Sequence, residues 1–280
     1  MKYFCIVMLI ALAAVAHGQA GETPEFRSFV ENRLKRSNKV DLNKICPADD
    51  PVADRVFRDY GAIFVSSNRG KLPPTCVFDS EEEVQAFQAA VDPDVASIGG
   101  TQVTLQKAAM TALKEARAEA AKLGVAITPR GGSEASTRSY SKTTDLWKSR
   151  FNPGLTHWVA RGKISSADAA RAQRAPIRKQ VEMVLAWEKR GYYFSTDFSK
   201  SILYSVAAPG ASQHIFMLAL DVSQFADRQV RQILARHGWF QTVKSDLPHF
   251  TYIGVTEAEL PGLGLTRVTA GGQTFWIPNM

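Results

Sequence analysis

Apolar residues recur along the chain first at helical spacing and later in short alternating runs. Phe26, Phe29, Val30 and Leu34 share one face of a helix that Thr23-Pro24 caps and starts. Asp50-Pro51 opens another, carrying Val52, Val56, Phe57 and Tyr60; Gly61 ends it, and "AIFV" reads as a strand. Ser80 and Glu83 form a capping box ahead of Val84, Phe87 and Val91. Leu105, Ala109, Leu113, Ala116 and Ala120 mark a helix from Thr104 to Leu123, which Gly124 closes before the strand "VAIT". "PRGGSEAST" is a glycine and serine loop, and a second long helix lies between Ser166 and Gly191, with Pro176 marking its start or a kink. Then follow a strand "MLALDV", a helix "ADRQVRQILARHG" closed by Gly238, a strand "HFTYIG" and a hairpin "TRVTAGGQTFWI" turning at Gly271-Gly272.

Helices come first and strands mix in later, which predicts an α+β fold. Residues 21–100 read as a mainly helical N-terminal subdomain, and residues 101–280 as a second domain. The first twenty residues, "MKYFCIVMLIALAAVAHGQA", are expected to be a secretory signal peptide: a lysine, an apolar core and small residues at a cleavage site. No later stretch approaches the roughly 18 unbroken apolar residues that span a bilayer. Beyond the leader two cysteines remain, Cys46 and Cys76, and in an oxidising compartment they are expected to form one disulfide.

The formal charge is +7. Such a surface favours anionic partners such as cell-wall polymers, nucleic acid or membrane headgroups. An export signal argues against nucleic acid, and the charge is spread along the chain, so solubility also accounts for it.

Candidate chemistry concentrates in "GASQHIFMLALDV", where His214 and Asp221 interrupt an apolar run. Read alone, they are either a satisfied polar pair or two legs of a metal site. Pro209-Gly210 breaks the chain just before them, which allows both to face one side. His249, in "SDLPHFTYIG", begins a strand three residues after Asp246; "DLP" is equally an ordinary turn capped by that aspartate. A serine hydrolase fits poorly, for there is no G-x-S-x-G elbow, and no glycine-rich phosphate loop precedes a helix.

Ser212, His214, Ala219 and Asp221 match the pattern S-x-H-x-x-G-x-A-x-D, and His249 with an acid three before it matches E-x-x-H. "AAPGASQH" is similar to P-P-G-x-S-x-H, and Arg138-Ser139-Tyr140 to an S-G-Y-R-S-like loop. Over about residues 103 to 255 the chain thus resembles the zinc D-alanyl-D-alanine carboxypeptidase and dipeptidase family, which shares its fold with the hedgehog signalling domain. The resemblance implies a small antiparallel sheet flanked by helices, preceded here by a mainly helical extension. It implies Zn²⁺ on His214, Asp221 and His249, lowering the pKa of a bound water to about 7. Asp246 would be the general base, Arg138 would bind the scissile carbonyl or a substrate carboxylate, and Ser212 would hold substrate or orient a ligand.

The implied protein is an exported zinc metallopeptidase, periplasmic or extracellular, acting on D-amino-acid bonds of peptidoglycan stem peptides. Two positions depart from the pattern. Met217 stands where the family has glycine. Asp246 stands where it has glutamate, shorter by one methylene and roughly 1.5 Å of reach. These departures keep two alternatives open: a zinc-binding cell-wall recognition module of little or no activity, and an endopeptidase cutting cross-links with the same residues.

Overall fold

A computed structural model describes residues 25–38, 40–66 and 70–280; the leader expected over residues 1–20 and the Thr23-Pro24 helix start lie outside them. The N-terminal helices begin where their caps place them. α1 (Phe26–Asn38) buries Phe26, Val30 and Leu34, and the one-turn α2 (Leu42–Ile45) follows Asp41 as N-cap. At the head of α3 (Pro51–Tyr60) the Asp50 carboxylate accepts from Val52 N and Ala53 N at 2.8 and 3.0 Å. Those donors have no partner inside the helix, and Pro51 lacks one to satisfy. Ser80 Oγ accepts from Glu83 N at 3.2 Å before α4 (Glu81–Ala90).

"AIFV" is not a strand. Gly61–Val65 form a 3₁₀ turn buried on every side, with Ser66 N donating to Ile63 O at 3.1 Å. A short apolar run fits any fully buried element, and here local i to i+3 bonds rather than a ladder satisfy the backbone. A hairpin of β1 (Pro93–Ile98) and β2 (Thr101–Gln106) precedes α5 (Lys107–Lys122). Thr104 therefore lies in a strand, and Val103 and Leu105 point inward with the period of two that a strand imposes. The hairpin turn, Gly99-Gly100, sits at the boundary expected between residues 21–100 and 101–280. One buried apolar cluster takes in side chains on both sides of it, from Phe26 to Trp276.

"VAIT" forms no ladder either; the chain meets the sheet through one bridge, Pro129 to Val222. Arg130 N there donates to Asp221 O at 2.8 Å. After a 3₁₀ turn at Gly132–Ala135, Ser139 caps α6 (Tyr140–Ala160), its Oγ accepting from Lys142 N at 3.0 Å. The single long helix expected between Ser166 and Gly191 is two, α7 (Ser166–Arg174) and α8 (Ile177–Glu188). Ala175 is extended, with ψ 152°, because the ring of Pro176 crowds a helical conformation at the residue before it.

The remaining elements are β3 (Ala219–Asp221), α9 (Arg228–Arg236), β4 (Trp239–Phe240), β5 (His249–Tyr252), and a hairpin of β6 (Leu265–Ala270) with β7 (Gln273–Pro278). The strands β3, β5 and β4 form an antiparallel sheet in that order. The fold is α+β, a small antiparallel sheet among helices. No helix among the described residues is long and apolar enough to cross a membrane.

The N-terminal elements hold the segment that enters β3. Cys46 and Cys76 form the expected disulfide, their Cα atoms 5.2 Å apart. Beside it Phe78 N donates to Gly210 O at 3.0 Å. Gly210 has φ 78°, and a Cβ there would stand 1.9 Å from Phe78 O. Left-handed backbone costs a non-glycine residue about 1–2 kcal/mol, and the collision adds to it. Gly210→Ala is accordingly expected to lower stability by more than about 2 kcal/mol, read from the urea midpoint. A loss below about 0.5 kcal/mol, the size of an ordinary surface change, contradicts the packing described.

Candidate metal centre and its cleft

Ser212 to Met217 wind as a tight turn: Ile215 N donates to Ser212 O, Phe216 N to Gln213 O and Met217 N to His214 O, at 3.0 to 3.2 Å. Met217 ends the turn with φ 53°, and the chain runs straight on into β3. This reversal of backbone hand lets His214 and Asp221 face one point. Glycine is the usual residue for that conformation. A methionine there carries about 1–2 kcal/mol of strain; Met217 is fully buried, and burial contributes about 1.5–3 kcal/mol, enough to offset it.

Strand register supplies the third side chain. Asp221 and His249 are direct partners across the antiparallel pair β3–β5, so their side chains leave the same face as neighbours. A turn sets the approach to β5, Asp246 N donating to Val243 O and His249 N to Asp246 O at 3.0 and 3.2 Å.

The result is a triangle. His249 Nδ1 lies 3.1 Å from His214 Nε2 and 3.2 Å from Asp221 Oδ1, and His214 Nε2 lies 3.3 Å from the same oxygen. In tetrahedral zinc coordination, bonds of about 2.0–2.2 Å put ligand atoms about 3.3 Å apart. The three residues form a group able to hold a metal ion, and the spacing matches one face of that tetrahedron.

Protonation states agree. Gln213 Nε2 donates to Tyr60 O at 2.8 Å, which identifies its other amide atom as the oxygen. That oxygen accepts from Thr251 Oγ1 at 2.5 Å and meets His249 Nε2 at 2.8 Å. His249 Nε2 therefore carries the proton, and Nδ1 turns a lone pair toward the centre. Burial pushes His214 down to about 4 against the pull of Asp221, so its imidazole is neutral at neutral pH. Its far nitrogen, Nδ1, is buried without a partner among the described residues. Burial opposes ionisation of Asp221, but the two imidazoles outweigh it and hold the carboxyl well below the usual range.

A cleft of about 260 Å³ opens over the group, lined among others by Arg138, Ser212, His214, Asp246 and His249. Burial raises the Asp246 carboxyl above the ordinary aspartate value; the charge of Asp221 adds to this, while His249 and the arginines Arg138 and Arg130 oppose it. Arg138 is committed in part: its Nη2 donates to Asp221 Oδ2 at 2.9 Å and its Nε to Glu134 O at 3.2 Å. The structure thus brings together the side chains singled out in the sequence, Ser212, His214, Asp221, Asp246, His249 and Arg138, around one cleft.

Three glutamines escape sequence reasoning. Besides Gln213, Gln106 donates from its backbone N to Met217 O at 3.0 Å and from Nε2 to Phe216 O at 2.8 Å. Gln88 Nε2 donates to Ile215 O at 3.1 Å and Arg138 O at 3.0 Å, joining the turn to the arginine segment. Glutamine in a helix or strand reads as a solvated residue, and no local pattern marks these. Trp147 and Trp187 are buried in the core, and Trp158 packs half-buried against it.

No family model matches the chain, and no curated protein matches it in sequence. A crystal structure of the vancomycin-resistance D,D-pentapeptidase VanY, a point mutant in complex with Zn(II), is similar over 59% of this chain and 82% of its own. The sequence identity is 14% and the TM-score 0.31.

The buried neutral histidine has a consequence for the metal-free protein. Unfolded, His214 takes a proton near its ordinary 6.5; folded, only near 4. Between those values the unfolded chain binds more protons, so stability is full above the upper one and falls as pH drops through the window. The total loss is about 3 kcal/mol. Urea midpoints of chelator-treated protein across the window are expected to show this slope, and His214→Asn to flatten it. An equal slope in the variant would assign the proton uptake elsewhere.

Proposed function

We propose that the protein is an exported zinc-dependent peptidase that hydrolyses D-amino-acid peptide bonds in peptidoglycan stem peptides, as a D,D-carboxypeptidase. The observation that carries this reading is the triangle of ligand atoms at a cleft that also holds a raised carboxyl and a guanidinium. His214 Nε2, His249 Nδ1 and Asp221 Oδ1 would hold the ion. Zinc in such a site supplies Lewis acidity toward a carbonyl and acidifies water.

The chain's own groups would do the rest. Asp246 takes the proton of the attacking water on a carboxylate oxygen and passes it to the leaving amine. Its raised carboxyl suits both halves of that transfer, because a group poised nearer neutrality accepts and releases a proton with similar ease. Arg138 holds Asp221 through Nη2 and offers Nη1 to the carbonyl oxygen as charge builds there. Gln213 keeps His249 in the ligating tautomer. The disulfide supports an oxidising destination, since such bonds persist outside the cytosol. The substrate class rests on the motif resemblance, and the shorter acid at Asp246 favours one alternative, a zinc-binding module without turnover.

Zinc analysis separates these readings when paired with D-alanine release from an acyl-D-alanyl-D-alanine peptide. Wild type is expected to hold one zinc and release D-alanine; His214→Ala and His249→Ala are expected to hold none. Asp246→Asn should keep zinc and lose about 10²–10⁴-fold in rate. Zinc without D-alanine release in wild type points to the binding module, and zinc retained by both histidine variants removes the metal reading altogether. Gln213→Leu, which leaves the tautomer of His249 unset, is expected to weaken zinc binding about 10–100-fold in a chelator competition.

A further inference from the structure

Thr143, Leu146 and Arg150 lie on one face of α6, and all three line the cleft above the metal group. The two arginines of that cleft are in different states. Arg138 is paired with Asp221. Arg150 has no carboxylate partner among the described residues. Its Nη1 reaches only the neighbouring Ser149, donating to Oγ at 3.0 Å and to the carbonyl oxygen at 3.4 Å. Its Nε is buried with no hydrogen-bond partner. Asp246, which lines the same cleft, forms no ion pair with it. A cation partly withdrawn from water, with a donor buried and unmet, is stabilised when an anion enters beside it.

We propose that Arg150 receives the C-terminal carboxylate of the peptide cut at the metal centre, an assignment that rests on the peptidase reading above. A guanidinium binds a carboxylate through its N–H donors, and Nη2, which makes no hydrogen bond among the described residues, is the donor of Arg150 left for the cleft, with the covered Nε beside it on the same edge. The bond from Nη1 to Ser149 steadies that edge. Arg138 cannot take the same role without releasing Asp221. A free terminal carboxylate distinguishes the end of a stem peptide from the interior of a cross-link, so Arg150 sets a preference for chain ends.

The test uses the zinc-loaded Asp246→Asn protein, in which hydrolysis is slow. Calorimetric titration compares N-acetyl-D-alanyl-D-alanine with its C-terminal amide. The acid is expected to bind about 10–100-fold more tightly, the range of a charge-assisted pair. Adding Arg150→Ala should reduce that preference to below about 3-fold, and Arg150→Lys, which keeps the charge without the fork, should retain part of it. Unchanged zinc content in each variant shows that the fold is kept. The assignment is overturned if Arg150→Ala preserves the preference, or if acid and amide weaken equally. If zinc binds but neither peptide does, the Arg150 assignment fails alone. If zinc does not bind, the peptidase reading fails first and takes the assignment with it.

Discussion

The lone pairs of His214 Nε2, His249 Nδ1 and Asp221 Oδ1 converge on one point, and atoms so placed repel one another unless a cation or a proton stands between them. A single proton serves one pair of acceptors at a time, whereas a cation at the centre serves all three. The architecture around the group holds this otherwise unfavourable geometry. The β3–β5 register sets Asp221 beside His249, and the left-handed Met217 swings His214 in to join them.

Strained backbone persists only where its surroundings over-determine it, and the supports of the 212–217 turn come from far along the chain. Gln106 takes up the carbonyls of Phe216 and Met217, and Gln88 takes up that of Ile215. Tyr60 receives the amide of Gln213, and Phe78 fastens Gly210. Each such bond is worth only about 1 kcal/mol net, yet leaving one of these buried groups unmet costs about 1–3 kcal/mol. The N-terminal region thus braces the site: Tyr60 both receives Gln213 and lines the cleft, and the disulfide between Cys46 and Cys76 ties down the segment leading to Phe78.

Charge is divided in the same spirit. Arg138 neutralises the outer oxygen of Asp221, which lets the inner one serve the metal group without carrying the whole of an unscreened charge in a buried setting. Arg150, on the next stretch of α6, keeps its charge for the cleft. Two residues of one type, twelve positions apart in sequence, are thus committed differently: Arg138 is paired with Asp221, while Arg150 has no carboxylate partner among the described residues.

Much of this was legible in the chain. Caps at Asp50 and Ser80, the helix of α9 and the hairpin at Gly271-Gly272 follow from rules that act over a few residues, and the structure keeps them. The spacing of Ser212, His214 and Asp221, and of Asp246 and His249, nominated the metal group through its resemblance to the zinc carboxypeptidase motifs; read alone, the pair in the apolar run left a satisfied polar pair equally open. Local pattern misled where packing overrode it: "AIFV" closed into a 3₁₀ turn and Thr104 joined a hairpin, whereas Pro176, read as a start or a kink, marks the start of α8. Convergence itself lay beyond the sequence. Asp221 and His249 are 28 positions apart, and Gln106 and Phe216 are 110; strand register and side-chain commitment across such distances are set by how the core packs. Motif resemblance named the ligands from residue types at short spacings, and only the packed sheet and its clamped turn decided that their lone pairs would meet.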